Sequence, residues 1–512
     1  MATEHGPGVV PAHDTYRAPP RSASPWDLHG PFSLDGGIMK QLAFAALFSS
    51  ILVTPALSFA TASSSTRPYV LQYGSSPGQV NMDACTLDAA SDHVRDVVNA
   101  GVIDGAVLLV ARHGKVVLHR AYGRRDGNFA GPAAENPSMS RDAIFDLQSI
   151  TKTFTAYIAV DLHDQGLLDL SAPVANYLPE FNTPEKSGVL VRDLVRFTSG
   201  HSIDAAASLV GDPDPWGTML AEGLVATPGT MVFYSDIGYR LLGRVLEAAG
   251  GLPLDELVQE RLTGPLGMKD TAWQPLVNMP SKALRFAGTG YSSVRETNGA
   301  PRYLRGETAD EQDAWIESHT HAATGCDGAF STAWDLALFG QMFLNRGARV
   351  VGYPGWGYCT PWMWTCDIEL LASPALVEAT IDLQTKDASG APLGIHGATS
   401  SWLDDLLFAN KSYGWELADA DPGAHVVTGL YASPSAVSKI GGAGTFLTVD
   451  PDPSRDLVVV LLTNHGLPSF VGPDGIQVDG SGNLIWPGYE NMLNGIAPNI
   501  VNDLVQLAIT GP

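Results

Sequence analysis

Phe145-Asp-Leu-Gln-Ser149-Ile150-Thr151-Lys152 opens a run that continues Thr-Phe-Thr-Ala-Tyr-Ile-Ala-Val-Asp-Leu-His-Asp-Gln-Gly-Leu-Leu-Asp-Leu170. From Thr151 to Leu170 the apolar residues recur at helical spacing, so Ser149 and Lys152 stand at the start of a helix. Residues three apart share a helix face, which lets the Lys152 ammonium approach the Ser149 hydroxyl. The positive end of the helix dipole favours a developing alkoxide and the oxyanion of an attacked carbonyl. Ser149 is therefore a candidate nucleophile. The plainer alternative for so short a pattern is a capping serine beside a surface lysine.

Two further segments supply matching chemistry. Tyr234-Ser235-Asp236 precedes a second helical pattern, Tyr239 to Ala249. A tyrosine is a weak base at its ordinary pKa near 10, but a neighbouring lysine cation stabilises the phenolate, which would let Tyr234 take the Ser149 proton and pass it to a leaving group. Without such a role Tyr234 is a buried tyrosine and Asp236 a helix cap. Lys439-Ile440-Gly441-Gly442-Ala443-Gly444-Thr445 begins a hairpin near the other end of the chain. Glycines there allow a substrate backbone close approach, and an exposed N–H completes an oxyanion hole with the Ser149 N–H. The competing reading is a glycine-rich turn with a solvated Lys439.

In this order the three segments resemble the SxxK, Y-x-N (or S-x-N) and KTG or HxG motifs of the serine β-lactamase and penicillin-binding-protein superfamily. The branch the chain looks most like holds class C β-lactamases, D-Ala-D-Ala carboxypeptidases and related esterases. Leu194-Val-Arg-Phe-Thr-Ser-Gly, Gly264-Pro-Leu-Gly-Met-Lys-Asp-Thr and Phe330-Ser-Thr-Ala-Trp-Asp-Leu add to the match, which covers residues 90–345 and 437–465. It implies an α+β fold: an antiparallel β-sheet flanked by helices, with an inserted α-helical lobe and no metal or organic cofactor. It also implies Ser149, Lys152 and Tyr234 as catalytic groups, an oxyanion hole from the Ser149 and Gly442 N–H groups, and Asp236, Lys439, Gly441 and Gly442 as the substrate-binding wall. Two positions depart from the pattern. Asp236 puts a carboxylate where the family has an amide, and Ile440 replaces the Thr hydroxyl of KTG. Both losses weaken a β-lactam or D-Ala-D-Ala reading and favour an esterase or acyl-transfer enzyme, although Lys439 keeps a positive charge at that wall. A non-catalytic sensor that retains an acylable serine is the alternative from another class.

The rest of the chain bounds these readings. Among 512 residues, 54 acidic against 30 basic give a formal charge of −24, which repels nucleic acid and anionic membranes and leaves a small ester or amide as the expected partner. Met39-Lys-Gln, the apolar run Leu42–Val53 and Ala60-Thr-Ala62 have the order of a signal peptide. This places the natural start at Met39, makes residues 1–38 an upstream extension, and sends the product out of the cytoplasm with no stable membrane span. Residues 63–84 read as irregular, 85–470 as the hydrolase domain, 346–436 as a loop-rich aromatic insertion within it, and 471–512 as an extension ending in a helix. Gly105–Gly123 reads as a hairpin around His113-Gly114, with helices over Thr86–Ala100 and Leu254–Leu262 and a mostly helical stretch from 185 to 345.

The four cysteines, Cys85, Cys326, Cys359 and Cys366, suit an exported protein, and Cys359 and Cys366 are placed to staple the loop between them, which holds Trp362 and Trp364 within an aromatic segment that includes Trp356. No CxxC pair or HExxH helix points to zinc. Asn410-Lys411-Ser412 has the form of a glycosylation site. Gly74-Ser-Ser-Pro-Gly78 matches a nucleophile elbow but lies outside any strand-to-helix turn. Ser199 with His201, and the cluster His321, Cys326 and Asp327, read as loop and turn residues.

Overall fold

In the computed structural model, residues 68–126, 137–205, 208–297, 300–351, 367–382, 384–386, 389, 392–393, 410–418, 428–464 and 498–511 are described. The expected signal peptide, Cys359 and Cys366 with their expected disulfide, and Trp356, Trp362 and Trp364 lie outside them. Seven strands build one sheet: β1 (Gln72–Tyr73), β2 (Gly105–Arg112), β3 (Lys115–Gly123), β4 (Glu416–Leu417), β5 (Val437–Ile440), β6 (Phe446–Asp450) and β7 (Leu457–Thr463). Their order is β1-β3-β2-β7-β6-β5-β4. Every pairing is antiparallel except that of β1 with β3, so the sheet is mixed at one edge.

The turn between β2 and β3 falls on His113 and Gly114, at φ +50° and +69°. Two successive left-handed residues make the tight hairpin turn whose twist matches the strands it joins. At the centre, β7 is buried on both sides. Val458, Val460 and Leu462 face the larger core, while Leu457, Val459 and Leu461 face the smaller. Helices α1 (Ala84–Asn99) and α6 (Pro498–Leu507) cover the second face, their Leu87, Val94, Val501 and Val505 meeting Val459 and Leu461. The other face carries α5 (Ala333–Leu344), and beyond it lies a helical lobe with α2 (Thr151–Asp164), α3 (Asp236–Gly250) and α4 (Glu311–Thr320).

Several boundaries move from the sequence reading. Helix α2 stops at Asp164 rather than Leu170, because Gly166 at φ +72° supplies the left-handed residue that terminates a helix. Leu254–Val258 is α-helical, and Gln259–Thr263 continues it as a wider π turn. The stretch 185–345 is not all helical: Gly288–Thr297 pairs with Ala300–Arg305, and Ala272–Trp273 and Phe145–Asp146 flank Ala329–Ser331. Asn410 is 9 % exposed and accepts from Thr385 Oγ1, while Lys411 and Ser412 are fully buried. A glycan cannot reach that sequon in the folded chain. Among the described residues no helix is long and apolar enough to cross a membrane.

Candidate active site

Ser149 lies in a 3-10 turn, Gln148–Ile150, that feeds directly into α2. In the run from Ala143 to Leu162 it is the one residue not buried. The turn is clamped from two sides. The Ala329 carbonyl accepts from Leu147 N at 2.9 Å, and Thr445 Oγ1 donates to the Leu147 carbonyl at 3.1 Å. Asp146 accepts from the N–H groups of Gln148 (3.0 Å) and Ala309 (2.7 Å). Burial, opposed in part by those N–H groups, pushes its carboxyl up to about 6. Gln148 is held at φ +48°. A side chain in the left-handed region costs on the order of 1 kcal/mol, and the clamped turn holds it there next to Ser149.

Lys152 is fully buried: its ammonium donates to Ser149 Oγ at 3.0 Å and to the Cys326 carbonyl at 3.1 Å, and it is ion-paired with Asp236 Oδ1 at 2.6 Å. Burial works against the charge, but Asp236, with Tyr234, Asp327 and Cys326, outweighs it and keeps the lysine an ammonium. Tyr234 is 5 % exposed and stacks on Phe197, centroids 4.8 Å apart. The Lys152 and Lys439 ammoniums lie 5.0 and 4.7 Å from its ring centroid. Its hydroxyl is hydrogen-bonded to Ser149, yet burial drives its pKa well above 10. The Lys152 charge opposes that rise, while Asp236 and Glu416 add to it. The phenol is therefore protonated at rest.

The structure brings Lys439 to this tyrosine but not to a solvated wall. It is fully buried, and Glu416 Oε1 takes its ammonium at 2.6 Å. Burial, with help from the Lys152 charge, lowers its pKa against the pull of Glu416. Lys411 Nζ stands 3.9 Å from the same oxygen. The positive charge expected at the substrate wall is thus already matched inside the protein. Gly441 closes against the nucleophile turn: a Cβ there would lie 2.1 Å from Thr445 Oγ1 and 2.5 Å from the Leu147 carbonyl. Only glycine fits that approach. Gly442 follows in the turn and is half-buried, on the side of the sheet that meets the Ser149 turn.

The sequence reading missed Glu416 and the backing of Lys152. Glu416 reaches Lys439 because β4 pairs with β5. Asp327, set aside as a turn residue, is buried with Oδ1 unpartnered, and burial raises its pKa well above the usual carboxylate range. Cys326 Sγ donates to Asp313 and is not in a disulfide. Ser199 and His201 do meet, Oγ to Nδ1 at 3.1 Å, but both are sealed from solvent, and burial with the Lys186 charge pushes the histidine down to about 4. Ligand atoms of Asp236, Cys326 and Asp327 cluster within 4.8 Å, as do those of Asp310, Asp313 and Asp327. Lys152 and Arg240 already supply cations to both groups.

The model of the Beta-lactamase family matches residues 90–479. The chain belongs to that family, and it is a β-lactamase-family serine hydrolase with an α+β fold. It is 28 % identical over 406 residues to an N-acetylmuramyl-L-alanine amidase of Bacillus subtilis (strain 168), covering 74 % of this chain and 81 % of that one. To a putative D-alanyl-D-alanine carboxypeptidase of Salmonella agona (strain SL483) it is 24 % identical, covering 76 % and 85 %. Among solved structures it resembles unliganded simvastatin synthase (LovD) from Aspergillus terreus, with TM-score 0.56, 18 % identity and coverage of 82 % and 99 %. It also resembles EstCE1, a hydrolase with promiscuous acyltransferase activity, with TM-score 0.52, 19 % identity and coverage of 83 % and 99 %.

Proposed function

We propose that the chain is an esterase or acyl-transfer enzyme that forms an acyl-enzyme on Ser149 and prefers uncharged esters to substrates bearing a carboxylate. The observation that carries this reading is the buried, charge-matched Lys439–Glu416 pair. A carboxylate entering the cleft would meet no unmatched cation there, and it would face Asp236, which remains 20 % exposed. Ile440 offers no hydroxyl in compensation. An export signal in residues 39–62 accords with an enzyme acting on extracytoplasmic esters.

The geometry supports the following acylation route. Ser149 Oγ attacks the ester carbonyl while Tyr234 takes its proton, and the two flanking ammoniums hold the phenolate form that does so. The N–H groups of Ser149 and Gly442 receive the oxyanion. Tyr234 then returns the proton to the departing alkoxide, and water or an alcohol resolves the acyl-enzyme. Short-chain p-nitrophenyl esters and a chromogenic cephalosporin, offered to the protein and to Ser149→Ala, test the reading. Steady ester turnover lost in the variant, with little cephalosporin cleavage, is the expected result; a single stoichiometric burst or Ser149-independent turnover sinks it.

The electrostatics give a second expectation. Because the working form is the phenolate and the resting phenol titrates high, kcat/KM should rise about tenfold per pH unit from neutral into the alkaline range. Asp236 stabilises the phenol over the phenolate. In Asp236→Asn that influence disappears, so the rise should move to lower pH, with turnover at pH 7 up by about tenfold for each unit moved. A pH profile that is unchanged, or displaced upward, would count against Tyr234 as the proton acceptor.

A further inference from the structure

At the opposite edge of the sheet from Lys439, a groove of about 900 Å³ runs along β3. Its floor is a set of linked rings. Tyr73, 55 % exposed, stacks on His119 at 6.0 Å and 17° and meets the half-buried Trp334 at 5.1 Å. His119 Nε2 lies 3.2 Å from the Arg141 carbonyl, which can only accept, so Nε2 carries the proton. Nδ1 therefore accepts from the Tyr73 hydroxyl, 2.8 Å away. The hydrogen-bond chain fixes both rings in place, and burial pushes the imidazole down to about 4, leaving the floor uncharged at neutral pH.

The rim mixes signs. Arg285 is committed to Asp270 and Asp142, and Arg120 to Asp88. Arg141 is exposed and makes no ion pair among the described residues. We propose that this groove binds a carboxylate-bearing oligosaccharide, with sugar faces on Tyr73 and Trp334 and the carboxylate on Arg141. A pyranose presents a flat C–H face, which suits an exposed aromatic ring, and edge hydroxyls that both donate and accept. A rim of carboxylates and guanidiniums satisfies both kinds of hydroxyl bond. In a chain carrying −24, the uncommitted guanidinium is what admits one anion, and it binds a carboxylate bidentately. The volume is within the range of specific small-ligand sites.

Calorimetric titration of the full chain with a galacturonic acid hexamer and an N-acetylglucosamine hexamer tests this. The acidic hexamer should bind at least about tenfold more tightly, and Tyr73→Ala or Trp334→Ala should weaken both by about tenfold or more. Arg141→Gln should erase the preference for the acidic hexamer alone. Ester turnover should be unchanged in all three variants, and Ser149→Ala should bind normally, which separates this site from the cleft. No saturable binding of either hexamer, equal affinity for the two, affinity unmoved by the three substitutions, or a short acidic peptide displacing the bound hexamer as an equal competitor would overturn it. Circular dichroism identifies any variant that has lost its fold, and in that case Tyr73→Phe, which keeps the ring but frees His119, should retain most of the sugar affinity.

Discussion

Lys152→Met is expected to lose ester turnover by on the order of 10⁴- to 10⁶-fold and to lose stability as well. The activity falls because one ammonium serves the Ser149 hydroxyl and the Tyr234 phenolate together, so its removal disables both. Stability falls because Asp236 loses its countercharge and the Cys326 carbonyl its donor. Breaking a buried ion pair from one side costs about 3–5 kcal/mol, and the partial exposure of Asp236 puts this pair at the lower end. The double variant Lys152→Met with Asp236→Asn removes the stranded charge. It should recover most of the stability in urea unfolding and none of the turnover. Recovery of turnover would show that Lys152 is scaffolding rather than chemistry, and an undisturbed single variant would show that the pair does not stabilise the fold.

The second large effect concerns Arg240, which does no chemistry. Its guanidinium is fully buried and reaches Asp313 at 2.7 and 3.1 Å, Asp204 at 2.6 Å and Asp310 at 3.5 Å. Burial alone would raise Asp313, but Arg240 holds it well below the usual carboxylate range. A depressed folded pKa contributes stability above the unfolded value near 4, lost as pH falls below it. Arg240→Met should cost about 3–5 kcal/mol at pH 7 and reverse that trend. With no cation beside it, Asp313 is raised by burial, so the variant should gain stability as pH falls from 7 toward 5. Melting temperatures of variant and parent across that range check it: the variant should gain more than the parent on acidification, and a change equal to the parent's would refute the account.

The nucleophile segment was legible because its logic is local. Ser149 and Lys152 are one helical turn apart, so sequence spacing is nearly spatial spacing. The two hairpins were legible for the same reason: β2 with β3, and β6 with β7, are joined by short turns. Glu416 was not, since its partner Lys439 lies 23 residues away across a strand pairing, and no periodicity marks a two-residue strand. The strands Gly288–Thr297 and Ala300–Arg305 flank Asn298-Gly299, a dipeptide typical of two-residue hairpins, and that signal was available. Lys439 shows a different limit. Its identity implied a charge at the cleft, but only the fold reveals that Glu416 faces it.

The central strand pairing sets a clock on the molecule. β2 cannot complete its central pairing until β7 exists, and Arg112 in β2 finds the Arg455 carbonyl 343 residues further along the chain. Gly441, which seats the Ser149 turn, is made in that same late interval. At ribosomal speeds the delay between the two is on the order of tens of seconds. During synthesis, then, Ser149 and Lys152 are present long before Gly441 and β7, so the proposed site cannot assemble until the last quarter of the chain is being made.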